Sequence, residues 1–320
     1  MSSGLPNPTY SNEDLERAFS DKFDYDLLYP VVNSLRCIKT DLEIDLMRET
    51  CAISSRAHIY AMVNCMPTFY EYQLSALFRE YFAHAGADDT AYFSVCAGGR
   101  NASVLHYEVN LEELKDGDLV LCDMGAKKDG MCSDITCTYP VNGKFSQIQK
   151  DIYNIVLKAQ RTSIEMLKPG VAYADVQDNS FRVILDGLKK LGILKGDKQK
   201  MFELKVHKVF MPHRLGHYLG FRTHDVGKQR KVQRPGDTEY NKQYLSVDED
   251  VLEKNMCLTV EPGIYFIKSL IQNAKDDPDM SPYFDFDKLE EYMSVGGVRI
   301  EDDLRITDEG YENFTKVVYC

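Results

Sequence analysis

The 320 residues, 44% hydrophobic and 28% charged, suit a soluble globular chain of one large domain or two ordinary ones. Fifty acidic against 38 basic residues leave a net charge of -12 with no basic cluster, which argues against nucleic acid as a partner. No run approaches the roughly eighteen apolar residues that span a bilayer, and the polar first segment lacks a signal peptide's apolar stretch, so no membrane and a cytoplasmic location are expected.

Residues 1–30, with Pro6, Pro8 and Pro30 and no clean period, predict a tail or linker ahead of one domain over 31–320. After Thr40, DLEIDLMRETCAISSRAHIYAMV has an acidic first turn and apolar residues at helical spacing (Leu46, Ile53, Ala57, Met62), which predicts a helix. A second helix is predicted over 70–85, closed by Gly86. Short strands follow at AYFSVC and SVLHY, either side of a turn at 97–101. DLVLCDMG and MCSDITCTYP form the arms of a hairpin around Asp129-Gly130. Helices over 146–168 and 174–191 are parted by Pro169-Gly170, and HKVFMPH, MCLTVEPGIYF and GGVRIEDDLRIT again read as strands. Helices then strands, twice over, predict an α+β fold of two similar halves. The nine cysteines include no C-x-x-C pair, and Cys132 and Cys137 point to opposite faces of a strand, so reduced thiols are expected. The sequons at Asn101 and Asn313 read as unused, and Cys320, with nothing after it, cannot open a prenylation box.

The chemistry-bearing residues are acids in apolar surroundings and a histidine cluster. Asp123 and Asp134 lie on the two hairpin arms among Leu119, Val120, Leu121, Met131 and Ile135, where cross-strand neighbours converge on one face. Two buried carboxylates repel unless a proton or cation compensates them, although such a pair can equally face solvent. His213, His217 and His224 fall within FMPHRLGHYLGFRTHD, out of seven histidines in the chain. They do not form a zinc-protease helix, because Arg214 follows His213 and Pro212, Gly216 and Gly220 oppose regular helix. Glu261 in LTVEPGIYF and Glu301 in GGVRIEDDL each adjoin a strongly apolar strand. Four carboxylates would balance two divalent cations, and an oxygen-rich set with one imidazole suits manganese, cobalt, iron or zinc. Such a pair can share a bridging hydroxide that attacks an amide. No G-x-S-x-G elbow or P-loop competes.

DMG at 123, SDIT at 133, HRLGHYLG at 213, THDVG at 223, TVEPGIYF at 259 and GGVRIEDD at 296 together resemble the prolidases (X-Pro dipeptidases). Prolidases belong to the pita-bread metallopeptidases, with aminopeptidase P, creatinase and methionine aminopeptidase. The likeness runs from about residue 35 to 320. It implies a pita-bread fold with two pseudo-symmetric halves and two divalent metals, manganese foremost. The metal ligands it implies are Asp123, Asp134, His217, Glu261 and Glu301, with Asp134 and Glu301 bridging. His106, His213 and His224 match histidines that hold substrate and stabilise the tetrahedral intermediate, and Glu261 would carry the proton. Tyr92 and Arg299 match positions that support the metal site, and with His213 and Arg214 they are expected on the substrate side.

The chain departs from the pattern in four places. It has little room for the N-terminal domain that prolidases carry, which helps form their dimer. Arg214 stands where a glycine is usual, and LSVDEDVLEKNM lacks the arginine that clamps the substrate carboxylate. The run after His106 reads Tyr107-Glu108-Val109-Asn110. The expected function is therefore two-metal hydrolysis of the bond before proline in X-Pro dipeptides. The alternatives are aminopeptidase P-like cleavage of longer peptides, or a metal-binding interaction module. A small peptide is the expected partner, and a homodimer is open.

Overall fold

The computed structural model describes residues 25–227, 247 and 250–315. Residues 1–24 of the expected tail, Cys320, and Leu245, Ser246, Asp248 and Glu249 of the altered clamp segment lie outside them. Helix α1, Tyr25–Cys37, runs through residue 30, where the tail was expected to end. Helix α2, Asp41–Asn64, starts where the acidic turn predicts. Thr40 caps it, its hydroxyl accepting from Glu43 N–H while the Glu43 carboxylate accepts from Thr40 N–H at 2.7 Å. Helix α3, Glu71–His84, ends at Gly86, whose φ of +79° is the left-handed conformation a helix stop needs.

Strands β1, Asp89–Thr90, β2, Val95–Gly98, β3, Leu119–Asp123, β4, Ala126–Lys128, β5, Met131–Cys132, and β6, Thr136–Pro140, complete the first half. Helices α4, Gln147–Ile164, α5, Tyr173–Lys190, and α6, Lys198–Glu203, open the second. They lead to β7, Cys257–Val260, and β8, Gly263–Tyr265. Helices α7, Lys268–Asp276, and α8, Phe286–Glu290, precede β9, Gly297–Arg299, β10, Asp302–Ile306, and β11, Tyr311–Asn313.

Two expected strands are absent. Residues 103–107 follow a 3₁₀ turn, Gly99–Ser103, and join no ladder. The buried Glu71 carboxylate organises this segment instead, accepting from Gly98 N–H, Asn101 Nδ2, Tyr107 OH and Glu112 N–H at 2.8–3.0 Å. HKVFMPH is not a strand either. Lys205 adopts a left-handed φ of +58° and starts the 3₁₀ turn Val206–Val209, and Pro212 lacks the N–H a ladder requires.

The pseudo-symmetry lies in how the strand pairs break. In the first half β3 pairs antiparallel with β6, and β4 with β5, leaving residues 124–125 and 133–135 between the two ladders. In the second half β7 pairs with β10 and β8 with β9, leaving Glu261-Pro262 and Ile300-Glu301 between them. The four acids sit in these gaps or, for Asp123, at the strand end beside one. Apolar packing backs each half. Val120, Cys122 and Cys137 cluster with Ala57, Leu74, Phe78 and Phe82, while Val260, Ile264, Val298 and Ile300 cluster with Ile152, Val156, Ile184 and Leu185. Among the described residues no disulfide joins cysteines and no helix is long and apolar enough to cross a membrane.

Candidate metal centre

Asp123, Asp134, His217, Glu261 and Glu301 line one cavity of about 270 Å³, together with His106, His213, Arg214, His224 and Arg299. The ladder sets Asp123 opposite Thr136, so Asp134 is not its direct cross-strand partner, as the hairpin alone suggested. It lies in the gap, diagonal to Asp123 and on the same face. Gly125 makes this approach attainable, since a Cβ there would stand 1.9 Å from the Ser133 carbonyl oxygen. Gly216 does likewise before His217, where a Cβ would meet the Thr259 carbonyl oxygen at 2.1 Å.

One oxygen each of Asp134 and Glu301 and one nitrogen of His217 lie within 4.8 Å of one another. His217 donates Nδ1–H to the Tyr218 carbonyl at 2.9 Å. Its Nε2 therefore faces the acids, 3.2 Å from Asp134 Oδ2 and 3.5 Å from Glu261 Oε1. Asp123 adjoins them, accepting from Tyr92 OH at 2.7 Å and from Arg299 Nη2 at 2.5 Å. Arg299, 4% exposed, also donates to Thr136 Oγ1 and Tyr265 OH, and Thr136 in turn donates to Glu301 Oε2 at 2.6 Å.

The charge arrangement needs a cation. Burial first, and then repulsion from neighbouring carboxylates, pushes Asp134 up and Glu301 well up; burial lifts Glu261 to about 7. Burial opposes a charge on His217, but Asp134 and Glu261 outweigh it and raise its pKa to about 9. Glu301 Oε1 is buried without a hydrogen-bond partner. A set of crowded carboxylates, one orphaned oxygen and an imidazole nitrogen aimed among them fits a divalent metal with oxygen-rich coordination.

The three other histidines stand around this cluster. His213 donates Nδ1–H to the Arg214 carbonyl at 2.7 Å; burial and the Arg299 charge hold its pKa near 3, so its neutral Nε2 accepts from Tyr265 OH at 3.0 Å. His224 lies edge-on to His217, with ring centroids 4.3 Å apart, and partial desolvation of the imidazole, then the His217 charge, lower its pKa to about 4. His106 and Arg214 are exposed on the cavity wall. Asp225, next to His224, is wholly buried and paired with Arg36 of α1 and with Lys39 at 3.1 Å. The sequence reading overlooked Thr136, Tyr265 and Asp303. Asp303 accepts Asp134 N–H at 2.9 Å, and all three sit inside or beside the motifs already singled out.

The family model for metallopeptidase family M24 matches residues 45–308. Mouse Xaa-Pro dipeptidase is 39% identical over 300 residues, 91% of this chain and 60% of the relative. A probable Xaa-Pro aminopeptidase of Verticillium alfalfae is 43% identical over 302 residues, 94% of this chain and 64% of the relative. Among solved structures, an Escherichia coli aminopeptidase P variant in complex with substrate has a TM-score of 0.78 and 34% identity, covering 98% of this chain and 67% of that one. Proline aminopeptidase P II from Yersinia pestis has a TM-score of 0.75 and 37% identity, covering 91% of this chain and 60% of that one. The chain thus spans about 60% of the length of its curated relatives.

Proposed function

This chain belongs to metallopeptidase family M24 and has the pita-bread fold, and on that premise we propose that it hydrolyses the peptide bond before proline in X-Pro peptides, using two divalent metals held by Asp123, Asp134, His217, Glu261 and Glu301. The observation that carries the reading is the convergence of these five side chains on one cavity, with the Asp134, His217 and Glu301 ligand atoms within 4.8 Å. Manganese is the foremost candidate, followed by cobalt, zinc and iron, because the donors are mostly oxygen. When bound, such metals supply Lewis acidity and an acidified water for attack on an amide carbonyl.

The chain's own groups do the rest. Arg299 and Tyr92 fix Asp123, and Thr136 fixes Glu301, so the cage is pre-set before substrate arrives. Glu261 carries the proton towards the leaving nitrogen. His224, beside His217, flanks the space where the carbonyl oxygen becomes negative. His213, whose Nδ1–H is given to the Arg214 carbonyl and whose Nε2 accepts from Tyr265 OH, shapes the substrate side, and His106, lining the same cavity, holds the substrate. Arg214 offers a bidentate fork to a substrate carboxylate, replacing the arginine missing from LSVDEDVLEKNM. The reading carries a cytoplasmic setting for the unbridged cysteines.

Metal content and proline release from dipeptides and longer X-Pro peptides, with and without Mn²⁺ and a chelator, test it. Metal-dependent release that vanishes in His217→Ala supports the reading. Two bound metals without hydrolysis of any peptide would make the chain a metal-binding module, and release from longer peptides alone would favour the aminopeptidase form. Arg214→Gly should raise KM for dipeptides by about 10- to 100-fold, the worth of a charged hydrogen bond; improved dipeptide cleavage would exclude the clamp.

A further inference from the structure

A helix face turned into a protein interior is ordinarily apolar. Helix α2 buries a different stripe. Cys51, Ser54, Ser55 and His58, at successive spacings of three, one and three, share one face, and none is more than 1% exposed. Ser55 turns back to bond the Cys51 carbonyl, but Ser54 and His58 reach across to the gap between the β3–β6 and β4–β5 ladders, and Cys51 reaches Asp303 of β10. His58 Nε2 lies 3.0 Å from the Met124 carbonyl, which can only accept, so the proton is on Nε2. Ser54 Oγ accepts Ala126 N–H at 2.9 Å and lies 2.7 Å from Ser133 Oγ. The Cys51 thiol donates to Asp303 Oδ2 at 3.2 Å, the same oxygen that accepts Asp134 N–H.

Met124, Ser133 and Asp134 lie where the ladder is interrupted and Ala126 opens β4 just past it, with Met124 and Ala126 on either side of Gly125. A gap in a sheet leaves backbone polar groups that must find partners or be costly to bury. Across this gap Met124 N–H and Ser133 N–H still reach the Ile135 and Ala126 carbonyls at 3.0 Å, while the neighbouring helix supplies the donor to the Met124 carbonyl and shares Ala126 N–H with Ser133 Oγ.

We propose that Cys51, Ser54 and His58 are positioning residues for the metal cage: His58 and Ser54 hold the backbone that follows Asp123, and Cys51 holds the Asp303 carboxylate that accepts Asp134 N–H, so that α2 sets the aim of Asp123 and Asp134. This rests on the metal-binding reading given above. Partners behind metal ligands typically carry about 10- to 100-fold of metal affinity, and His58→Leu should lose that much for Mn²⁺. His58→Gln, which keeps a donor near the Nε2 position, should recover most of it, and Ser54→Ala should show a smaller loss.

The full chain and its variants are titrated with Mn²⁺ by calorimetry, each after its melting temperature has been recorded. Ile53→Ala is the control: it removes apolar packing from the same helix without touching a hydrogen bond at the gap, and should melt lower yet bind Mn²⁺ as before. Unchanged affinity in His58→Leu, an equal loss in Ile53→Ala, or no recovery in His58→Gln would overturn the inference while the metal reading stands. Failure of the unsubstituted chain to take up any Mn²⁺ would overturn both.

Discussion

In the first half of the molecule the strands that carry Asp123 and Asp134 are backed partly by hydroxyl and imidazole groups of α2, whereas the strands that carry Glu261 and Glu301 rest largely on apolar side chains of α4 and α5. Both halves interrupt an antiparallel pair to bring two acids inward. In the second half Pro262, which has no N–H, removes one donor at the break, and Glu301 N–H is satisfied across the cleft by the Thr136 carbonyl at 3.0 Å. Each half thus satisfies one acid's N–H from the other half, Asp134 on Asp303 and Glu301 on Thr136, and the first half adds hydrogen bonds from a helix.

The difference separates stability from metal affinity. Ile264 of β8 is fully buried in the larger apolar cluster. Ile264→Ala should cost about 2–5 kcal/mol in urea unfolding of the chelated chain, with little change in Mn²⁺ affinity. A parallel loss of affinity would erase the contrast between the halves.

Acid sharpens the comparison from the other side. Burial holds the His58 pKa down to about 4, below the ordinary 6.5. Between those values the unfolded chain binds a proton that the fold refuses. The contribution of His58 is complete above pH 6.5 and is lost as pH falls towards 4, by roughly 3 kcal/mol. His58→Gln has no such group, so its stability should draw closer to, or overtake, that of the unsubstituted chain as pH falls. Parallel profiles would mean that His58 titrates normally. The smallest expected effect is that of Ser54→Ala, about 1 kcal/mol in unfolding, but accompanied by a measurable fall in Mn²⁺ affinity.

Much of this was legible in the chain. The acidic turn after Thr40 and the stop at Gly86 placed α2 and α3, because caps are local chemistry. The five proposed ligands drew notice together, Glu261 and Glu301 beside apolar strands, Asp123 and Asp134 on the hairpin arms and His217 in the histidine cluster. Alternation misled at 103–107, where the apolar pattern is satisfied by Glu71 bonding and leaves Val104 52% exposed. Nothing in MRETCAISSRAH announced that Ser54 and His58 face inward, because a helix's serine and histidine look alike whether they meet water or a gap in a distant sheet. The short helices α7 and α8 passed unnoticed for lack of any long period.

Asp225, wholly enclosed beside His224, draws its counter-ions from Arg36 and Lys39 at the other end of the sequence. A gene trimmed to begin at Thr40 would strand that buried carboxylate without either cation, and losing one side of an enclosed ion pair typically costs about 3–5 kcal/mol. Anyone designing a minimal version of this fold must therefore keep the stretch from Arg36 to Lys39, and with it the end of α1, as a strut.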